Sequence, residues 1–269
     1  MRVGWLSTGR DQAACNLLSD VVARAQQDDV ALDIGAVFCD RERGEAPESD
    51  RFLDLVDRLG IPAVTLSSRA SWAEAQKLGV SRATWRDEFH RGVADLLVPY
   101  RIGVLVLAGY MLIASPALCR KYAMLNLHPA LPGGPMGMWQ QVIWELIESE
   151  AGETGAMIHL ATAQLDRGPV VSYFRLPLRG PDWDPLWRQY RAKRKTMSVE
   201  EIAAAEGEDE PLFAEIRRRG EIREIPLLYL TLRQFAEGRL NTADGCVFAE
   251  SSRLPLDLTA EVDAEVAGR

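Results

Sequence analysis

The chain has 269 residues, 47% of them hydrophobic, and carries a net charge of −8. That size allows one large domain or a domain with an appendage, and the acidity argues against a nucleic-acid binder, which shows a basic patch or stripe. No run is long and apolar enough to span a bilayer and no cationic start precedes an apolar signal region, so the chain is expected in the cytoplasm. Its four cysteines, Cys15, Cys39, Cys119 and Cys246, form no CxxC and are read as reduced thiols, not as a disulfide framework or a zinc site.

Arg2–Ser7 reads as a first strand, running through Thr8-Gly9-Arg10-Asp11 into a helical pattern that lasts to about Arg24. A strand, a glycine turn and a helix can hold an anion on the helix N-terminal amides, but an ordinary βα turn explains the pattern as well. Residues 32–39 form a second strand, 40–49 a charged loop, 51–59 an amphipathic helix stopped by Gly60, and 61–66 a third strand. Residues 67–80 fit neither period. Residues 82–100 place Trp85, Phe89, Val93, Leu96 and Leu97 on one stripe and form a helix. His90 lies beside that stripe among charges and reads as a surface histidine.

The stretch 104–137 is the centre of the chain. Its apolar run 104–108, between Gly103 and Gly109, has the pattern of a strand buried on both faces. Ser115-Pro116 starts a short helix, with serine as cap and proline in the first turn. Residues 124–127 form another strand and enter a loop stiffened by Pro129, Pro132 and Pro135. Asn126 and His128 are two residues apart, so they share a face at the carboxyl end of a buried strand, where open α/β sheets place their chemistry. Next come a helix over 138–150 and strands over 156–161 and 170–178. Between these strands, Asp166-Arg167-Gly168-Pro169 is a tight turn that presents a carboxylate. His159 is read first as a packed, hydrogen-bonded sheet histidine, ahead of a catalytic role.

Residues 180–211 depart from the regular alternation. Asp184-Pro185 can start a helix, and Ser198-x-x-Glu201 is a capping box. The basic residues Arg188, Arg191, Lys193, Arg194 and Lys195 between them are read as a solvated helical face in preference to a lid over an anion. Residues 212–237 are helical with an irregularity at Pro226, and 240–249 form a final strand. The expected fold is α/β, a doubly wound, mostly parallel sheet, with a helical insertion near 181–212. Residues 1–250 are expected as one domain, and 251–269 as a polar tail that frays or docks on a partner.

Leu107-Ala-Gly-Tyr-Met-Leu-Ile and Leu125-Asn-Leu-His-Pro-Ala-Leu-Pro-Gly resemble the phosphoribosylglycinamide formyltransferases, folate-dependent enzymes of purine synthesis. Cys15-Asn16-Leu17 resembles that family's Gly-Ser-Asn-Leu turn, and Leu165-Asp166-Arg167-Gly168-Pro169-Val170-Val171 its folate loop. Phe235-Ala-Glu-Gly-Arg-Leu resembles its closing helix. The resemblance implies a catalytic trio of Asn126, His128 and Asp166. It implies a folate pocket from Met111, Leu112 and Ile113 with Leu165, Asp166, Arg167 and Gly168. It places the acceptor's phosphate near Ala14, Cys15 and Asn16 and sets Glu221 as a substrate-binding glutamate; the first turn adds Gly9 as a candidate, and Arg10 as a substitute for the missing serine hydroxyl. Ala14-Cys15 departs from the family's Gly-Ser, Leu112 stands where many members carry arginine, and Trp139 and Gln140 lie where a further histidine is usual.

The resemblance implies 10-formyltetrahydrofolate as co-substrate, no metal, and a small phosphorylated amine as acceptor, with glycinamide ribonucleotide first; it leaves room for a homodimer. Formyl transfer needs an amine held close to the formyl carbon and donors aimed at the developing oxyanion. Asn126 offers amide N–H groups and His128 a proton, while Asp166 would favour the imidazolium or relay the amine's proton. The alternatives are the same donor with another amine, such as an amino sugar or a biosynthetic intermediate, or a formyltetrahydrofolate hydrolase. A folate-binding regulator without turnover ranks lower, as does a methionyl-tRNA formyltransferase, given the acidic chain.

Overall fold

The computed structural model describes residues 1–162, 167–250 and 253–268. The chain divides into two compact units: 1–126, 159–169 and 231–254 make the first; 127–158, 170–230 and 255–269 make the second.

The first unit is built on parallel strands. β1 (Arg2–Ser7) lies between β2 (Asp33–Cys39) and β4 (Val104–Leu107), β3 (Ala63–Thr65) flanks β2, and the first residues of β5 (Ala123–His128) flank β4. Helices α1 (Gln12–Gln27), α2 (Pro47–Arg58), α3 (Ser68–Lys77), α4 (Arg82–Leu97) and α5 (Pro116–Lys121) alternate with them. This is the α/β arrangement with a mostly parallel sheet that the alternating pattern predicts. Val104, Leu105 and Val106 are all buried, as a strand covered on both faces requires. Ser115 caps α5 through its side chain, 3.3 Å from the Leu118 amide, as predicted.

Three local readings in this unit change. Residues 67–80 contain helix α3, which Ser67 caps by accepting from the Ala70 amide at 2.9 Å. Helix α2 starts at Pro47, inside the stretch expected as loop, because proline at the first turn is pre-set for a helix. The expected final strand is two strands, β8 (Leu240–Ala243) and β9 (Cys246–Ala249), paired antiparallel. Their turn, Asp244-Gly245, has φ of 49° and 72°, and an Asp-Gly pair is the sequence signal for such a hairpin.

The second unit contains most of β6 (Glu153–Leu160), with β7 (Val170–Pro177) and β10 (Leu256–Asp257) beyond it, together with α6 (Trp139–Glu148), α7 (Asp184–Lys193) and α8 (Val199–Glu206). Helix α9 (Pro211–Ala236) begins here and carries Pro226 inside it. The insertion is helical, and the predicted capping box forms: Glu201 N–H donates to Ser198 Oγ at 3.1 Å, and Ser198 N–H donates to Glu201 Oε2 at 2.7 Å. Its basic run is the solvated face expected of it: Arg188, Arg191, Arg194 and Lys195 are exposed, and Lys193 is half-buried. Arg191 grips Glu150, and Lys193 donates to Glu206 and to the fully buried Glu210. Glu210 in turn accepts the Leu212 and Phe213 amides at the start of α9.

The tail expected to fray carries β10, paired in parallel with β7, and α10 (Thr259–Ala267). Leu258 and Val262 bury their side chains there, which a purely compositional reading misses because both are isolated among polar residues. Among the described residues, no helix is long and apolar enough to cross a membrane.

Candidate functional site

Thr8 ties the carboxyl ends of β1 and β4 to helix α2 in the first unit. Its N–H donates to the Gly109 carbonyl at 3.1 Å, and its Oγ1 accepts from Met111 N–H at 3.1 Å. Its carbonyl accepts from Ser49 Oγ at 3.0 Å. These bonds hold the segment after β4, residues 108–114, across the strand ends.

That segment walls a cavity of about 190 Å³ lined by Leu107, Tyr110, Met111, Leu112, Ile113, Ala114, Asn126, His159, Ala161 and Thr162. The cavity is largely apolar at the rim, where Met111 and Ile113 stay about half exposed, and polar at its base. An apolar pocket with a few fixed polar groups is the ordinary form of a small-molecule site. Asn126 Nδ2 lies 3.2 Å from His159 Nε2, and His159 Nδ1 lies 3.0 Å from the Leu160 carbonyl. A carbonyl only accepts, so Nδ1 carries the proton and Nε2 accepts from the Asn126 amide. The buried histidine therefore fixes which way the Asn126 amide faces. His159 is buried and hydrogen-bonded at both ring nitrogens, as the reading of it as a packed, hydrogen-bonded sheet histidine expects.

Leu165 and Asp166 lie outside the described residues. Arg167 is exposed. Gly168 packs directly on the Leu160 backbone: a Cβ there would stand 1.6 Å from the Leu160 carbonyl oxygen. The Leu160 amide donates to Pro169 at 2.9 Å, and the Ala161 amide donates to Met124 at 2.7 Å, so the segment that carries His159 is laid along β5.

His128 follows Asn126 on β5 and belongs to the second unit. It is 3% exposed, and its Nε2 donates to the Pro135 carbonyl at 2.9 Å. The proline-rich loop thus anchors the histidine ring.

The predicted acceptor residues are spread over both units. Gly9 adopts φ of 60°, and a Cβ there would meet Phe52 at 2.9 Å, so packing as well as turning demands glycine. The start of α1 caps itself: Asp11 Oδ1 accepts the Ala14 amide at 3.0 Å, and Arg10 Nε lies 3.4 Å from Asp11 Oδ2. Asn16 accepts from Gln12 at 2.9 Å. Cys15 lines a groove of about 230 Å³ with Arg51 and Arg58, and burial, aided by Asp11, pushes its thiol pKa up. In the second unit Glu221 is exposed and pairs with Arg217 at 3.3 Å. The same Arg217 bonds Glu224 at 2.9 Å and stacks 4.5 Å from the Trp139 ring. Burial pushes the Glu224 carboxyl pKa up. The sequence reading missed Glu224; its signal was helical spacing, since 217, 221 and 224 share one face.

His90 is not at the surface. It is fully buried, with Nε2 3.1 Å from Tyr110 Oη, and burial pushes its pKa down to about 4. The unfolded chain holds this proton near the ordinary value of about 6.5. Between the two values the unfolded state binds more protons, so stability falls as pH drops from about 6.5 to about 4, by about 3 kcal/mol in all. Urea midpoints across that range are expected to show this fall, and His90→Gln is expected to flatten it; a parallel fall in the variant would refute the assignment.

The formyl transferase family model matches residues 13–179, more than half of the chain. The chain belongs to the formyl transferase family. The phosphoribosylglycinamide formyltransferase of Escherichia coli (strain K12) is 27% identical over 172 residues, covering 63% of this chain and 66% of that protein. The chain thus matches just under two thirds of that relative's length. Among solved structures, glycinamide ribonucleotide transformylase 1 from Symbiobacterium toebii aligns over 93% of each chain at 22% identity, with a TM-score of 0.59. A formyltetrahydrofolate deformylase from Pseudomonas syringae pv. tomato aligns over 92% of this chain and 65% of its own, at 22% identity and a TM-score of 0.58. These two likenesses establish the formyltransferase fold for this chain.

Proposed function

We propose that this chain transfers the formyl group of 10-formyltetrahydrofolate to the amine of glycinamide ribonucleotide. The observation that carries the proposal is the Asn126 amide, oriented by His159 at the base of the cavity walled by residues 110–114. The flat ring of the donor enters between Met111, Leu112 and Ile113 and the segment ending at Gly168. The acceptor's nitrogen lone pair attacks the formyl carbon, and the carbonyl π pair moves to oxygen. Asn126 N–H stabilises that oxyanion. Collapse of the tetrahedral intermediate breaks the bond to the folate nitrogen, which takes up a proton as the new amide loses one. His128 and Asp166 are the groups proposed to handle those protons. A cytoplasmic protein acting on small molecules fits this reading.

A second reading, an acceptor without phosphate, is favoured by Asp11. Its carboxylate already occupies the helix start where a phosphate would bind, and like charges repel there. Arg10 decides between the two. If it takes the phosphate, Arg10→Ala raises KM for glycinamide ribonucleotide several-fold with kcat nearly unchanged. An unchanged KM would remove Arg10 from the acceptor site and favour the unphosphorylated amine.

The test of the whole reading is tetrahydrofolate release from 10-formyltetrahydrofolate, followed spectroscopically with and without glycinamide ribonucleotide. Release that depends on the ribonucleotide supports the proposal. Release without it means hydrolysis, and no release in either case refutes turnover with these substrates.

A further inference from the structure

One wall of the donor cavity is a tyrosine whose hydroxyl is held from behind. Tyr110 is 8% exposed and lines the cavity. Its ring stands edge-on to Phe38 at 6.2 Å and to His90 at 6.0 Å. Its Oη lies 3.1 Å from His90 Nε2. His90 sits on α4, has no exposed surface and is not among the cavity-lining residues, so it meets the cavity through Tyr110. Its other nitrogen, Nδ1, is buried without a hydrogen-bond partner among the described residues. Burial holds the imidazole neutral, so one ring nitrogen is a bare acceptor. A phenol O–H is a better donor than acceptor and a bare imidazole nitrogen a strong acceptor, so Nε2 accepts and the Tyr110 hydroxyl donates.

A buried tyrosine hydroxyl that loses its acceptor must find another partner or stay unsatisfied. The open side of Tyr110 is the cavity, so the hydroxyl would turn into the space that the donor ring needs. We propose that His90 is a positioning residue for the donor pocket, holding the Tyr110 ring back so that the cavity stays open to a flat bicyclic ring. This rests on the reading of that cavity as the folate site.

The test uses the full-length protein and a 5,8-dideaza analogue of the formyl donor, whose binding is followed by fluorescence. His90→Phe keeps a ring but removes the acceptor and is expected to weaken binding about tenfold, the effect of one buried hydrogen bond. His90→Gln, which can present Oε1 to the hydroxyl, is expected to stay within about threefold of wild type. Adding Tyr110→Phe to His90→Phe removes the orphaned hydroxyl and is expected to restore most of the binding, a non-additive result. Equal weakening by Gln and Phe, or additive loss in the double variant, would overturn the inference, as would His90→Phe within about twofold of wild type. Should His90→Phe fail to fold, the double variant is compared with Tyr110→Phe alone: equal binding supports the proposal, and a difference above about fivefold refutes it. A wild-type chain that does not bind the analogue refutes the pocket reading and this inference with it. Binding by wild type with an unaffected His90→Phe refutes this inference only.

Discussion

Asn126→Ala is expected to lower kcat by about 10²–10³-fold, or about 2.7–4 kcal/mol, the usual loss for one oxyanion donor. Asn126 stands at the carboxyl end of β5, lines the cavity, and has its amide orientation set by a histidine that is itself held by the Leu160 carbonyl. A donor fixed before substrate arrives costs no reorganisation in the transition state, so its removal should appear in kcat. Donor KM should change little, because the amide contributes mainly when charge develops. The variant loses one partly buried hydrogen bond, about 1 kcal/mol of stability, so it should remain folded at assay temperature. Turnover within about threefold of wild type would remove Asn126 from this role. A purely KM effect would make it a binding group instead.

Gly168→Ala is the second large effect. A single added methyl would stand 1.6 Å from the Leu160 carbonyl oxygen and 3.1 Å from Thr162 Cγ2. No side-chain rotation relieves a clash between Cβ and backbone, so residues 159–162 or 167–169 must move. The first of these segments carries His159, and its hydrogen bonds to Met124 and Pro169 would have to yield. The expected cost is about 3 kcal/mol, at the upper end for overpacking. In a chain of this length that corresponds to a fall in melting temperature of roughly 10 °C. Donor binding should fall in the same variant, since Thr162 and His159 both line the cavity. A melting temperature within about 2 °C of wild type, with donor binding intact, would show that the close approach is not needed.

Much of this was legible in the sequence, for a physical reason. Buried parallel strands are short, β-branched and flanked by glycine, so 104–107, between Gly103 and Gly109, declares itself locally. The two-residue spacing of Asn126 and His128 needs only the strand period. What the sequence hides is pairing between distant segments. Nothing near His159 says that its Nε2 meets Asn126, thirty-three residues away. Nothing near His90 says that Tyr110 covers it, so the surrounding charges misled. The hairpin at Asp244-Gly245 was written in the chain and overlooked. The tail was misjudged because its two anchors, Leu258 and Val262, are too sparse to form a pattern. Asp11 shows a different limit: the residue is plain in the sequence, but only the structure has its carboxylate capping α1.

The bond from His128 Nε2 to the Pro135 carbonyl spans seven residues of proline-rich chain. It makes the loop and the imidazole one lever. Lengthening or shortening 129–134 by a single residue would re-aim the ring without touching it, so insertions there should be tolerated by the fold and not by the chemistry. The same bond labels the ring for spectroscopy. A proton held between a buried nitrogen and a carbonyl exchanges slowly with water, so its downfield signal in a proton NMR spectrum would report directly on whether the loop is seated.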